Sequence, residues 1–107
     1  MRSKIAGKEY LKFWCKVFVT KYDFLVAICD EDILEKVIRK KPKVVASKKF
    51  YGGKLVNGKI AVRLMEKATI GNLLGKNIVG LAIKNGFIVK DNVIIINGVP
   101  HAQFVKI

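Results

Sequence analysis

LKFWCKVFVTKYDFLVAIC, residues 11–29, places Leu11, Phe13, Cys15, Val17 and Val19 on one side of an extended chain and Lys12, Trp14, Lys16, Phe18 and Thr20 on the other. A period of two is the signature of a strand. Residues 24–29 form a second apolar run rich in β-formers, separated from the first only by Lys21, Tyr22 and Asp23. The two runs read as a hairpin closed by a short loop, with the second strand the more central.

Beyond the hairpin, Asp30 or Asp32 is placed to cap a helix running to about Lys40, since Asp32 and Glu35 resemble a capping box and Ile33, Leu34, Val37 and Ile38 share a face. Pro42 would stop it, with a short strand at residues 44–47 and a polar, glycine-containing connection over residues 48–58. Ile60, Leu64 and Met65 predict a short helix ending near Ala68. Thr69 reads as the N-cap of a longer one whose stripe is Ile70, Leu73, Leu74, Ile78, Leu81 and Ala82 and whose end is marked by Asn85 and Gly86. Asn97-Gly98 then joins residues 93–96 and 99–107 as a second hairpin with a type I′ turn, Pro100 making the start of the last strand an edge. The expected fold is α+β, a single domain over residues 1–107 with a flexible basic N-terminus over residues 1–10. Its largely antiparallel sheet has about five strands and three helices, in the order ββαβααββ.

Composition narrows the partner class. Twenty-one lysines and arginines oppose eight acids, for a net charge of +13, and 51% of the chain is hydrophobic. The charge therefore decorates a folded globule, and nucleic acid is the commonest partner that relieves such self-repulsion. The tract KKPKVVASKKFYGGK, residues 40–54, contains no acid, while four of the eight acids, Asp30, Glu31, Asp32 and Glu35, sit just before it. Lys40, Lys41, Lys43, Lys48, Lys49 and Lys54 are candidate phosphate contacts. Phe50 and Tyr51 would offer stacking faces, and Gly52 and Gly53 would let backbone N–H groups approach an oxyanion. The structural reading of the same loop has the two rings pin it to the core while the glycines supply a turn; the two readings have even weight. The face of Lys12, Trp14, Lys16 and Phe18, followed by Tyr22, also interleaves cations and rings, though packing under a helix explains it better.

His101 is the sole histidine, with Gln103 on the same side of an extended chain. Catalysis would pair it with Cys15, Cys29 or Asp91, but no elbow or triad pattern supports this. A hydrogen-bonding role is favoured. Thr69, Asn72 and Lys76 would form a polar helix start suited to phosphate, and Gly71 and Gly75 inside that helix would call for close packing. Cys15 and Cys29 each lie in an apolar run, as buried thiols of a reducing compartment do, and are candidates to face each other across the hairpin. No metal spacing, cofactor motif, secretion signal or membrane-length apolar segment is present, so a cytoplasmic location is expected.

FYGG at residues 50–53, ATIGNLLG at 68–75 and NGVPHAQ at 97–103, in this order and spacing, resemble a family of small archaeal proteins catalogued as a domain of unknown function. The resemblance covers nearly everything after Lys12, and NGVPHAQ is its most specific element. It implies an archaeal cytoplasmic source, a compact α+β fold and, because the family's genes neighbour those of translation factors, a link to translation. Family members are often acidic around these motifs, so the basic balance is this chain's own. The expected function is a non-enzymatic RNA-binding or ribosome-associated module of archaeal translation. Its rivals are a small enzyme or nucleotide-binding protein using His101 with the Thr69/Asn72 helix start, and an adaptor or homodimer pairing through the edge strand at residues 99–107.

Overall fold

The computed structural model describes residues 11–107; the basic N-terminus expected over residues 1–10 lies outside them. The first hairpin forms as expected, with β1 (Lys12–Val19) antiparallel to β2 (Phe24–Asp30). From Val26 onward β2 is buried on both faces, which fits its apolar run without alternation. A six-stranded sheet is built on this pair in the order β5-β1-β2-β6-β8-β7, where β5 is Lys54–Asn57, β6 Ile70–Leu74, β7 Ile94–Ile96 and β8 Val99–Val105. All pairings are antiparallel except β2 with β6.

Each face carries its own core. On the helix face, Phe13, Val26, Ile28, Leu73 and Phe104 meet Ala61 and Met65 of α2 (Gly58–Lys67) and Ile78, Val79 and Ala82 of α3 (Lys76–Lys84). On the opposite face, Ala27, Cys29 and Leu74 pack under Ile38 of β3 (Val37–Lys40), Ala46, and Tyr51 of the one-turn α1 (Lys48–Tyr51). β3 and β4 (Lys43–Val45) form a separate two-stranded sheet. We call this second side the hairpin face.

The α+β class stands, but the five-strand order ββαβααββ does not: among the described residues eight strands in two sheets and three helices follow one another as ββββαβαβαββ. The helix expected after Asp30 is one 3-10 turn, Glu31–Ile33, followed by β3. Glu35, at φ 68°, takes a left-handed conformation that breaks any helix there, and β-branched Val37 and Ile38 continue as strand. Pro42 sits in the turn between β3 and β4 and ends no helix.

The second correction is at ATIGNLLG. Thr69 caps no helix, and residues 70–74 are the parallel strand β6, paired on both sides. Gly71 is there for packing, as expected, but against a neighbouring strand: a Cβ at Gly71 would lie 2.2 Å from the Phe104 ring. The connection expected over residues 48–58 contains α1 and β5 instead. Of the expected features, α2 is capped by the Asn57 side chain, which accepts from Ile60 N at 2.9 Å. α3 ends before Asn85 and Gly86, and Asn97 and Gly98 turn with φ 47° and 84°, as a type I′ turn requires. The last strand differs in its edge: Val99–His101 pair with β7, and Pro100 O accepts from Gly75 N on the other side at 2.9 Å, so Pro100 is not at an edge; among the described residues β8 lacks an outer neighbour only from Ala102 onward.

Candidate functional site

The register of the sheet aligns the polar side chains of the hairpin face. Lys16 pairs with Ala27, Ala27 with Asn72, and Asn72 with Gln103, making one row across four strands; His101 lies in the next row, opposite Leu74. Ala27 is small, which leaves room for Tyr51 to pass over it. The Tyr51 hydroxyl donates to Asn72 Oδ1 at 2.5 Å, and His101 Nε2 lies 3.2 Å from the same oxygen. An amide oxygen only accepts, so the imidazole carries its proton on Nε2 and leaves Nδ1 as an acceptor. Three of the singled-out residues, from FYGG, ATIGNLLG and NGVPHAQ in turn, thus meet at one atom.

Burial sets the chemistry of this corner. It pushes the Tyr51 phenol above its ordinary range, with the nearby Cys29 adding to the effect, so the hydroxyl stays a donor. It lowers the His101 pKa from the usual 6.5, favouring neutral imidazole. Burial also pushes both thiols up to about 12. Cys15 and Cys29 do not face each other: Cys15 pairs with Ile28 and belongs to the helix-face core, whereas Cys29 belongs to the other. Neither is an activated nucleophile. Asp91, the orienter considered for His101, is exposed in the 3-10 turn Lys90–Asn92. Among the described residues no three His, Cys, Asp or Glu side chains group as metal ligands. The corner is built for hydrogen bonding.

The expected polar helix start is dispersed. Thr69 precedes β6, where its hydroxyl accepts from Phe24 N at 2.9 Å and donates to Asp23 Oδ1 at 3.1 Å, tying the first hairpin to the parallel strand. Lys76 is at the other end of β6, exposed on the first residue of α3. Only Asn72 joins His101. Gln103 is exposed beside them, and Asn97 donates to Ile38 O at 3.0 Å, locking the second hairpin to β3.

The acid-free tract folds over the hairpin face as far as α1 and then joins the edge of the main sheet at Lys54. Lys40, Lys41 and Lys43 lie at the turn of β3 and β4, Lys48 and Lys49 on α1, and Lys54 at the start of β5; all six are exposed. Lys16 supports this layer from below, donating to Lys49 O at 2.8 Å. The rings of the loop are spent on packing: Phe50 stacks on Phe18 with centroids 5.5 Å apart, and buried Tyr51 meets Phe50 edge-on at 4.9 Å. Gly53 is needed for close approach, since a Cβ there would stand 2.4 Å from Cys15 O. Among the described residues the freely exposed ring is Tyr22, in the loop of the first hairpin with Lys21 Nζ 5.5 Å from its centroid.

Sequence reasoning made Asp30 a helix cap but assigned it to the wrong helix. Its buried carboxylate accepts from Asn77 N at 2.9 Å and Ile78 N at 2.8 Å, capping α3 instead of the segment that follows it. The signal in the sequence was Gly75, where φ is 123° and any Cβ would strike that carboxylate.

Among the described residues no helix is long and apolar enough to cross a membrane. No curated protein matches the chain. Its fold is similar to that of an uncharacterized conserved protein from Methanopyrus kandleri, with a TM-score of 0.70 and 24% identity, over 90% of this chain and 94% of the other. The family model described as "Protein of unknown function (DUF424)" matches residues 19–107. That span includes FYGG, ATIGNLLG and NGVPHAQ, the three motifs that meet at Asn72, and the chain belongs to the DUF424 family.

Proposed function

We propose that this protein is a non-enzymatic RNA-binding module that associates with the archaeal translation apparatus and contacts phosphates through the Lys40, Lys41, Lys43, Lys48, Lys49 and Lys54 layer. One observation carries the reading: a single acid-free tract exposes six lysines, five of them on the segment that covers the hairpin face and Lys54 where the chain reaches the sheet's margin. Lysines grouped this way neutralise successive phosphates and release condensed counterions. Phe50 and Tyr51 serve by holding α1 to the sheet, not by stacking on bases. The Asn72, His101 and Gln103 corner offers amide and imidazole groups to bases or to a protein surface beside the lysines.

If about five phosphates are neutralised, log affinity for single-stranded RNA falls with log salt at a slope near −3.5. Fluorescence anisotropy across a salt series checks this. Changing Lys48, Lys49 and Lys54 together to glutamine should flatten the slope by about 2, whereas the same change at Lys59, Lys84 and Lys90 should alter it far less. Salt-insensitive binding, or equal effects of the two triple variants, would remove the reading. The adaptor reading keeps one observation in its favour: from Ala102 onward β8 has no outer neighbour among the described residues, and Val105 there is 67% exposed.

A further inference from the structure

β1 is longer than its outer neighbour. β5 pairs with it from Lys12 to Cys15, and the chain then turns away at Gly53, leaving Lys16, Val17, Phe18 and Val19 paired among the described residues on the β2 side only. The bond from Thr20 N to Asp23 O at 2.9 Å closes the hairpin and fixes which residues point inward. By the alternation of an antiparallel ladder, Phe18 and Lys16 bond to β2, so the N–H and C=O groups of Val17 and Val19 point outward. Val17 is 38% and Val19 69% exposed. Natural edges of this kind are usually covered or blunted.

Beside this edge, on the helix face, lies an apolar groove of about 480 Å³. Cys15, Val17 and Val56 line it together with Ile60 and Leu64, which are one turn apart on α2. Its rim is cationic. Lys54 and Lys16 are among its lining residues, whereas Glu66, the sole acid of α2, is turned away by the helical period. On the hairpin face the same edge is overhung by α1, where Lys16 donates to Lys49 O and Lys48 and Lys49 are exposed.

We propose that this open edge of β1 is a docking site for an extended peptide segment of a partner protein, one that alternates apolar and acidic residues. Such a strand would continue the line that β5 abandons at Gly53. Its backbone would bond to Val17 and Val19. One set of its side chains would enter the groove against Val17, Ile60 and Leu64, and the alternate set would meet Lys16, Lys48 and Lys49. Charge also selects against a second copy of this chain, since two such edges would bring like lysines together in a molecule of net charge +13. The site does not depend on the RNA reading, because its affinity comes from the strand edge and the groove.

The test is a titration of the isotope-labelled protein with a synthetic peptide of alternating valine and glutamate, followed by amide NMR and hydrogen exchange. Shifts should concentrate at Val17, Val19, Lys54 and Ile60, and exchange at Val17 and Val19 should slow. Methylating alternate backbone nitrogens of the peptide should abolish both effects. Ile60→Glu, a change at a partly exposed position that should leave the rest of the spectrum in place, should weaken binding on the order of tenfold. The proposal is overturned if these amides do not respond, or if the methylated peptide or polyglutamate shifts them equally. It is also overturned if the free protein shows concentration-dependent shifts at Val17 and Val19, which would make the edge a self-association surface.

Discussion

Asp30 reaches from the end of β2 to the start of α3, where its carboxylate accepts the Ile78 backbone N–H at 2.8 Å. The contact is possible because β2 and β6 run parallel, so both end on the side of the sheet where α3 begins. A helix start there has unpaired N–H groups and a positive partial charge, and a buried carboxylate satisfies both.

Asp30→Ala should cost about 1–2 kcal/mol for the lost cap, with a further loss for the cavity, and Asp30→Asn less because one acceptor oxygen is kept. Desolvation raises the Asp30 pKa above its ordinary 3.8, outweighing the opposing hydrogen bonds from Asn77 and Ile78. The unfolded chain therefore loses this proton first as pH rises. Stability linked to the group is complete below pH 3.8 and is lost as pH climbs through the folded value. Thermal melts against pH should show that decline in the wild type and its absence in Asp30→Asn.

Tyr51→Phe removes one of the two donors on Asn72 Oδ1 while keeping the ring. A loss of about 1 kcal/mol in chemical denaturation is expected, with RNA affinity little changed. Tyr51→Ala should go further, freeing α1 from the sheet, lowering stability by several times as much and weakening RNA binding by disordering Lys48 and Lys49.

His101 has a lowered pKa from burial, the reverse case to Asp30. Unfolded histidine takes up a proton first as pH falls, so the stability linked to neutral His101 is complete above pH 6.5 and is lost as pH drops through the folded value. His101→Gln, which cannot titrate near neutrality, should flatten this part of the stability profile and largely preserve binding. Alanine at both His101 and Gln103 should weaken binding without unfolding the protein. Normal binding by that double variant would make the corner purely structural.

Cys15 and Cys29, buried and with thiol pKa values near 12, should resist a disulfide exchange reagent in the native state and react fully in denaturant. Alanine at both should lower stability and leave RNA binding intact. Loss of binding by a folded double variant would assign the thiols a functional role.

The legible parts of this fold were those in which local signals and tertiary context agree. Strict alternation in β1, the Asn97-Gly98 turn and the Asn85-Gly86 helix end each belong to local physics that the completed sheet leaves unchanged. Residues 70–74 were misread because a short apolar run fits a buried strand and a helix face equally well, and only the neighbours Leu25–Cys29 and His101–Val105 decide between them. Residues 31–40 carried a good capping pattern that the left-handed Glu35 overrides. As for the candidate site, Tyr51, Asn72 and His101 were each noticed, but their meeting at one oxygen depends on sheet order, which no local pattern encodes.

The parallel seam between β2 and β6 also dictates how the molecule assembles. Hairpins such as β1–β2 and β7–β8 join strands adjacent in sequence and can close in roughly 1–10 μs. The seam must instead wait for its whole connecting segment, which leaves over the hairpin face, passes β5 at the sheet's margin and returns along the helix face as α2. Closing such a long loop is entropically costly before any contact rewards it, and the seam should therefore form later than the hairpins. Doubling a loop costs only about 0.6 kcal/mol at equilibrium. Insertions in the lysine-bearing segment should therefore delay folding more than they weaken the folded protein, leaving that segment free to change its length and charge while the sheet beneath it stays the same.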